Sequence, residues 1–224
     1  MALELASLIH WSNSETLAIN GPTGKTKLLP TTNELFSSID TVGGTMNILN
    51  VRVMGISESI IRSGYPMTAG EVESMYLCHD YDAIYTKADF DRAVRLGNAP
   101  IGSGHDCFLK GIIVQFDVCA PQYWWQQFLR YKHVDVISSQ SKMHRLNEMV
   151  EVKGGSIEEQ LDSVSMALEH TAGISTNYLQ LKTIYAQRKN HRLKMWREVF
   201  CPWIESLPLV KKLGIIGGDL NGKE

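Results

Sequence analysis

Cysteine is scarce in this 224-residue chain: Cys78, Cys107, Cys119 and Cys201 stand far apart with no Cys-x-x-Cys pair. A chain this long needs no covalent staples, so the pattern argues for reduced thiols rather than a disulfide framework or a zinc knuckle. Long apolar runs are missing as well, none approaching the roughly 18 residues of a membrane span. The opening Met-Ala-Leu-Glu-Leu-Ala carries no basic leader, and a soluble, cytoplasmic protein with no membrane partner is expected. Excess charge of either sign is lacking too, since 22 Lys and Arg face 24 Asp and Glu for a formal net charge of -2. That balance argues against a nucleic-acid partner and makes any anion site local. With 44% hydrophobic and 21% charged residues, the chain can bury a substantial core.

Residues 1–45, rich in Ser, Thr, Gly and Pro, read as an irregular N-terminal segment ahead of a single domain over 46–224. Within the segment, Glu15–Ile19 has strand character and leads into Asn20-Gly-Pro-Thr-Gly-Lys-Thr26. A phosphate loop needs a glycine five positions before Gly24, where Ile19 stands, and Pro30 interrupts the helix that should follow. A tight turn is the better reading.

Residues 46–65 read as strand, turn and helix, with Ile48, Asn50 and Arg52 alternating against Leu49, Val51 and Val53. Residues 86–97 suit a surface helix. The clearest strand is Gly111-Ile-Ile-Val-Gln-Phe-Asp-Val-Cys119, with Val114, Phe116 and Val118 on one face and Gln115 and Asp117 on the other. Pro121 then opens a helix over 122–132, in which Trp124, Trp125 and Phe128 form a large apolar face. Gln127 and Arg130, three apart, are expected side by side on that helix. The apolar surface exceeds what one sheet face of a domain this size is expected to cover, which points to burial between subunits. Residues 151–170, with five acids against one lysine, read as a solvated helix.

A last long helix is expected from Asn177 to Phe200. At 100° per residue, Asn177, Leu181, Ile184 and Arg188 fall nearly on one line, which turns Arg188 towards the packed side, where it needs an anionic or carbonyl partner. Six Lys or Arg and no acid lie between Lys182 and Arg197. For Lys189, Arg192 and Lys194 a solvated basic face suffices.

From Gly104 to Lys132, and again from Asn177 to Trp203, the chain resembles the flavin-dependent thymidylate synthase family. The first block reads Gly104-His-Asp-Cys-Phe-Leu-Lys-Gly111, the apolar strand, Ala120-Pro121 and Gln127-Phe-Leu-Arg130-Tyr-Lys132. The family has Gly-His-Glu-x-Pro-Phe-Glu-His, a strand, Ala-Pro and Gln-x-x-Arg-His-Arg. The second block is Asn177, Arg188 and Cys201-Pro-Trp203, and Val53-Met-Gly with Arg62-Ser-Gly-Tyr65 is a weaker echo. The resemblance implies an α+β fold, a central mainly antiparallel sheet with long helices, in a homotetramer with active sites between subunits. It implies methylation of dUMP to dTMP using FAD, NADPH and methylene-tetrahydrofolate, with no cysteine nucleophile.

Carried over residue by residue, Arg188 is the catalytic candidate, facing the pyrimidine. Gln127, Arg130, Ser141 and Lys142 are substrate candidates; Arg130, Tyr131, Lys132, Ser138, Ser139 and Asn177 are cofactor candidates. No metal ligand is implied. The chain departs from the family where Arg-His-Arg becomes Arg130-Tyr131-Lys132, where the histidine before the strand is Gly111, and where the arginine two after Asn177 is Leu179. Two further readings stand beside this one. A non-catalytic nucleotide-binding homologue would keep Gln127 and Arg188 without flavin contacts. A metal-dependent phosphohydrolase would use His79-Asp80 and His105-Asp106, although neither has a second ligand at helical spacing and capping or surface roles suit them better.

Overall fold

The computed structural model describes residues 18–20, 26–28, 37–41, 44–70, 85–146 and 155–217. Its centre is a five-stranded antiparallel sheet formed by β3 (Ser37–Thr41), β4 (Gly44–Met54), β5 (Ile113–Pro121), β6 (Asp135–Ser139) and β7 (Glu169–Asn177) in the order β3-β4-β5-β7-β6. A separate hairpin pairs β1 (Ala18–Asn20) with β2 (Thr26–Leu28), Asn20 opposite Thr26. A strand rather than a helix thus starts at Thr26, in keeping with a turn instead of a phosphate loop; residues 21–25 themselves lie outside the described residues. β3 extends the main sheet from within the segment 1–45.

β4 does not follow the simple alternation expected of it. Between Leu49 and Arg52 an extra residue enters the strand opposite β5. Asn50 takes it up with φ 53°, a left-handed conformation that asparagine tolerates, and its Nδ2 donates to Asp117 Oδ2 at 2.6 Å. The bulge shifts the phase by one, so Met46, Ile48, Val51 and Val53 all face the core while Arg52 and Met54 are exposed. β5 keeps its expected phase, with Val114, Phe116, Val118 and Ala120 buried.

Helices α1 (Ile56–Arg62), α2 (Lys87–Gly97), α3 (Gln122–Phe128), α4 (Lys142–Leu146), α5 (Ile157–Asp162), α6 (Tyr178–Arg188) and α7 (Cys201–Ser206) accompany the sheet. Thr86 caps α2 in a reciprocal capping box with Asp89, and Ser156 does the same for α5 with Glu159. Among the described residues of the acidic stretch 151–170 there is one short helix, α5, and from Glu169 the chain becomes the interior strand β7. α3 stops at Phe128, short of the expected 132. Its apolar face is covered within one chain: Trp124, Trp125 and Phe128 are at most 1% exposed. Trp124 packs on Phe128 at 4.6 Å and on Trp196 at 4.8 Å between ring centroids. The surplus apolar surface that pointed to a subunit contact is not on this helix. No helix of the described residues is long and apolar enough to cross a membrane.

The helix expected over 177–200 is two helices. α6 ends at Arg188, residues 189–193 turn, and a π-helical turn over Met195–Phe200 runs into α7. Between Tyr185 and Met195 only Leu193 is a large apolar residue, so nothing holds a continuous helix against the core there.

Lys182, read in the sequence as part of a basic stretch, is fully buried. Its ammonium donates to Asp106 Oδ2, Gly97 O and Ala99 O, each at 2.8 Å, with both charged side chains at most 3% exposed. Asp106 is consequently a structural ion-pair partner rather than a surface or capping residue. Gly97 is required beside it, since a Cβ there would collide with the Leu213 carbonyl.

Candidate functional site

Arg188 is the last residue of α6 and is half-buried, which its place on the line Asn177–Leu181–Ile184 anticipates. Its partners are neutral. Nε donates to Tyr131 Oη at 2.7 Å and Nη1 to Gln127 Oε1 at 3.4 Å. The guanidinium carbon lies 4.8 Å from the centre of the Trp196 ring and 5.6 Å from that of Tyr131. Such stacking is worth about 0.5–2 kcal/mol depending on desolvation. Among the described residues no carboxylate forms an ion pair with Arg188, and its Nη2 hydrogens have no protein acceptor. A cation held by an amide, a phenol and an aromatic face keeps its charge for something else.

The surroundings hold it still. Tyr131 Oη accepts from Arg188 and donates to Gln187 Oε1 at 3.0 Å. Burial raises the Tyr131 phenol above its usual value despite the opposing pull of Arg188, so it remains a neutral hydroxyl. Glu205, on α7, accepts a 2.7 Å hydrogen bond from Tyr185. Burial first, and then Glu205, push the Cys201 thiol up to about 12, against the lowering influence of Arg188. At neutral pH Cys201 is an inert thiol, not a nucleophile. His191 accepts from Leu193 N–H through Nδ1 at 3.1 Å; burial, then Arg188 and Arg192, hold it below the usual histidine value.

The remaining sequence candidates fall elsewhere. Arg130 and Lys132 lie beyond the end of α3 and are exposed, so the expected pairing of Gln127 with Arg130 does not form. Ser138 and Ser139 are exposed on the edge strand β6, and Ser141 and Lys142 lead from it into α4. Among the described residues no hydrogen bond joins these four to Arg188. Asn177 uses its side-chain oxygen to cap α6, accepting from Gln180 N–H at 2.9 Å. His105 is exposed and Asp106 belongs to Lys182, while His79-Asp80 lies outside the described residues.

Trp196 and Gln187 are the residues that sequence reasoning passes over. Trp196 donates through Nε1 to Gln127 Oε1 at 2.9 Å and supplies the ring beneath Arg188. An aromatic at helical spacing reads as core, and Trp196 is fully buried. Its second role depends on α3, 69 positions away in sequence.

No protein-family profile matches the chain, and no curated protein sequence matches it. Solved structures do. A flavin-dependent thymidylate synthase from Helicobacter pylori, solved with FAD and dUMP, is 14% identical with a TM-score of 0.50 over 74% of this chain and 97% of that one. A second structure of the Helicobacter pylori enzyme with the same two molecules is 12% identical with a TM-score of 0.52, over 74% of this chain and 95% of that one. The fold is thus the α+β, antiparallel-sheet fold of flavin-dependent thymidylate synthases.

The thiols offer a direct check on this site. Cys107 is exposed and Cys201 buried. A thiol-specific alkylating reagent at neutral pH is expected to label Cys107 in the native protein and Cys201 only after denaturant is added, read by peptide mass mapping. Native labelling of Cys201 as fast as Cys107 would show an open, activated thiol beside Arg188.

Proposed function

We propose that this chain binds a pyrimidine nucleotide, dUMP, at the Gln127–Tyr131–Arg188–Trp196 cluster and methylates it to dTMP as a flavin-dependent enzyme. The observation that carries the reading is Arg188 itself, a half-buried guanidinium with only neutral partners, on a fold whose solved relatives hold FAD and dUMP. Its unpaired Nη2 suits an acceptor oxygen and the negative charge that develops on a pyrimidine under attack. Gln127 adds an amide to the same place, and the inert Cys201 suits a reaction without a cysteine nucleophile.

The fit to FAD rests on the exposed edge, where Arg130 and Lys132 supply cations with no ion-pair partner among the described residues and Ser138 and Ser139 supply hydroxyls. These donors suit the phosphates of a dinucleotide. Tyr131, by contrast, commits its hydroxyl to Arg188 and Gln187, and Asn177 commits its oxygen to the α6 cap, so neither is read as a flavin contact. When bound, reduced FAD supplies a hydride and methylene-tetrahydrofolate the carbon of the new methyl group, with NADPH as reductant. The chain's own part is to orient the pyrimidine against Arg188 and Gln127. Ser141 and Lys142, at the end of β6, are the further substrate candidates, and subunits meeting around the site as a homotetramer belong to the same reading.

The test is a paired titration of purified protein. Visible flavin absorption, present as isolated or after FAD is added, and calorimetric binding of dUMP are both expected. Absence of both would end this reading. Binding of dUMP with no flavin uptake would favour a non-catalytic nucleotide-binding protein, which the commitment of the Tyr131 hydroxyl also suits.

A further inference from the structure

Two groups that can only donate converge on one atom of Gln127. Trp196 Nε1–H reaches its Oε1 at 2.9 Å and Arg188 Nη1 reaches the same atom at 3.4 Å. Neither an indole nor a guanidinium has an acceptor to offer, so the atom between them is the oxygen. The flipped amide would set donors against donors. With Oε1 held in this way, the two Nε2 hydrogens form the other end of the amide, and among the described residues no protein group accepts from them.

Trp196 cannot easily relax to permit the other orientation. It is fully buried, with Trp124 at 4.8 Å and Phe200 at 5.3 Å between ring centroids. It also sits in the π-helical turn Met195–Phe200, a rare geometry that recurs at functional sites.

We propose that Trp196 is a positioning residue: by holding Gln127 Oε1 inward it makes Gln127 an obligate donor, and so selects a ligand oxygen that only accepts. This inference rests on the nucleotide reading above and adds the basis of its selectivity. Oxygens of that kind are the uracil O4 and a phosphate oxygen; at the position of O4 cytosine carries its exocyclic amine, which donates and would meet Gln127 donor to donor, whereas O2 is common to both rings and could not discriminate.

The experiment compares dUMP, dCMP and deoxyuridine binding by calorimetry on the wild type and on Trp196→Phe, which keeps an aromatic face for Arg188 and removes the N–H. Loss of amide control is expected to weaken the ligand by about tenfold, the weight of one hydrogen bond. If the oxygen is the uracil O4, dUMP and deoxyuridine weaken together and the preference for dUMP over dCMP collapses. If it belongs to phosphate, dUMP and dCMP weaken alike and deoxyuridine is unchanged. Either pattern supports the proposal.

Equal weakening of all three ligands, or changes below about twofold throughout, overturns it. Should Trp196→Phe fail to fold, Gln127→Met, which keeps the length and removes both amide ends, is held to the same two patterns. A wild type that binds none of the three ends the nucleotide reading and this inference with it. Wild-type binding that is indifferent to both substitutions overturns this inference alone.

Discussion

Lys182→Met is expected to cost about 3–5 kcal/mol of folding stability, because it leaves the Asp106 carboxylate buried without its counter-ion. The change also strips the donor from the carbonyls of Gly97 and Ala99. For a chain of this size such a loss corresponds to a fall in melting temperature of roughly 10 °C. The double variant Lys182→Met with Asp106→Leu removes the stranded charge and is expected to recover much of the loss. Recovery should be incomplete, since two buried carbonyls remain unpaired at about 1–3 kcal/mol each. Urea unfolding of the single and double variants measures the cycle. A loss below about 1 kcal/mol in the single variant would mean that water reaches Asp106. The physical weight of this pair lies in its position, since it ties α6 to the end of α2 and to the residues just before β5.

Arg188→Ala is expected to do the reverse, removing nucleotide binding while leaving the fold. Hydrogen bonds to a charged group contribute about 1.5–3 kcal/mol each, so two contacts to a ligand correspond to a fall in dUMP affinity of about a hundredfold or more. The stability lost is smaller, because no carboxylate is stranded and water replaces the guanidinium at a half-open site. What goes is the stacking on Trp196 and the charge-assisted bonds to the neutral Tyr131 and Gln127, which rehydration of the half-open site offsets in large part, for a net cost of about 2 kcal/mol. Arg188→Lys is expected to rescue little, since an ammonium cannot reproduce the planar fork. The measurement pairs melting temperature with calorimetric dUMP affinity. A large drop in melting temperature with affinity intact in the folded fraction would assign Arg188 to structure and sink its catalytic role.

Sequence by itself determined the elements whose apolar pattern is strong and local. β5 was legible because Val114, Phe116 and Val118 alternate with Gln115 and Asp117, and α2 because its charges and apolar residues segregate by face. Arg188 was legible as an unusual cation because it stands about one helical turn beyond buried Ile184 and two beyond buried Leu181. The chain also resembles flavin-dependent thymidylate synthases at separated blocks, and the fold agrees. β7 was not legible. Its inward residues are Ala172, Ile174 and Thr176, too few of them large and apolar to announce a strand, and it is interior to the sheet only because β5 and β6 pair along its two edges. The bulge at Asn50 was hidden for a similar reason, since the shift in phase is defined by the partner strand rather than by β4 itself. Most of the site was decided at the same level. Tyr131, Gln127 and Trp196 come from three segments, and only the packing of α3 against the turn after α6 converts a buried tryptophan and an amide into partners of Arg188. A periodicity reports which side of an element is buried; which polar atoms then meet is fixed by contacts between residues tens of positions apart, and those exist only in the folded chain.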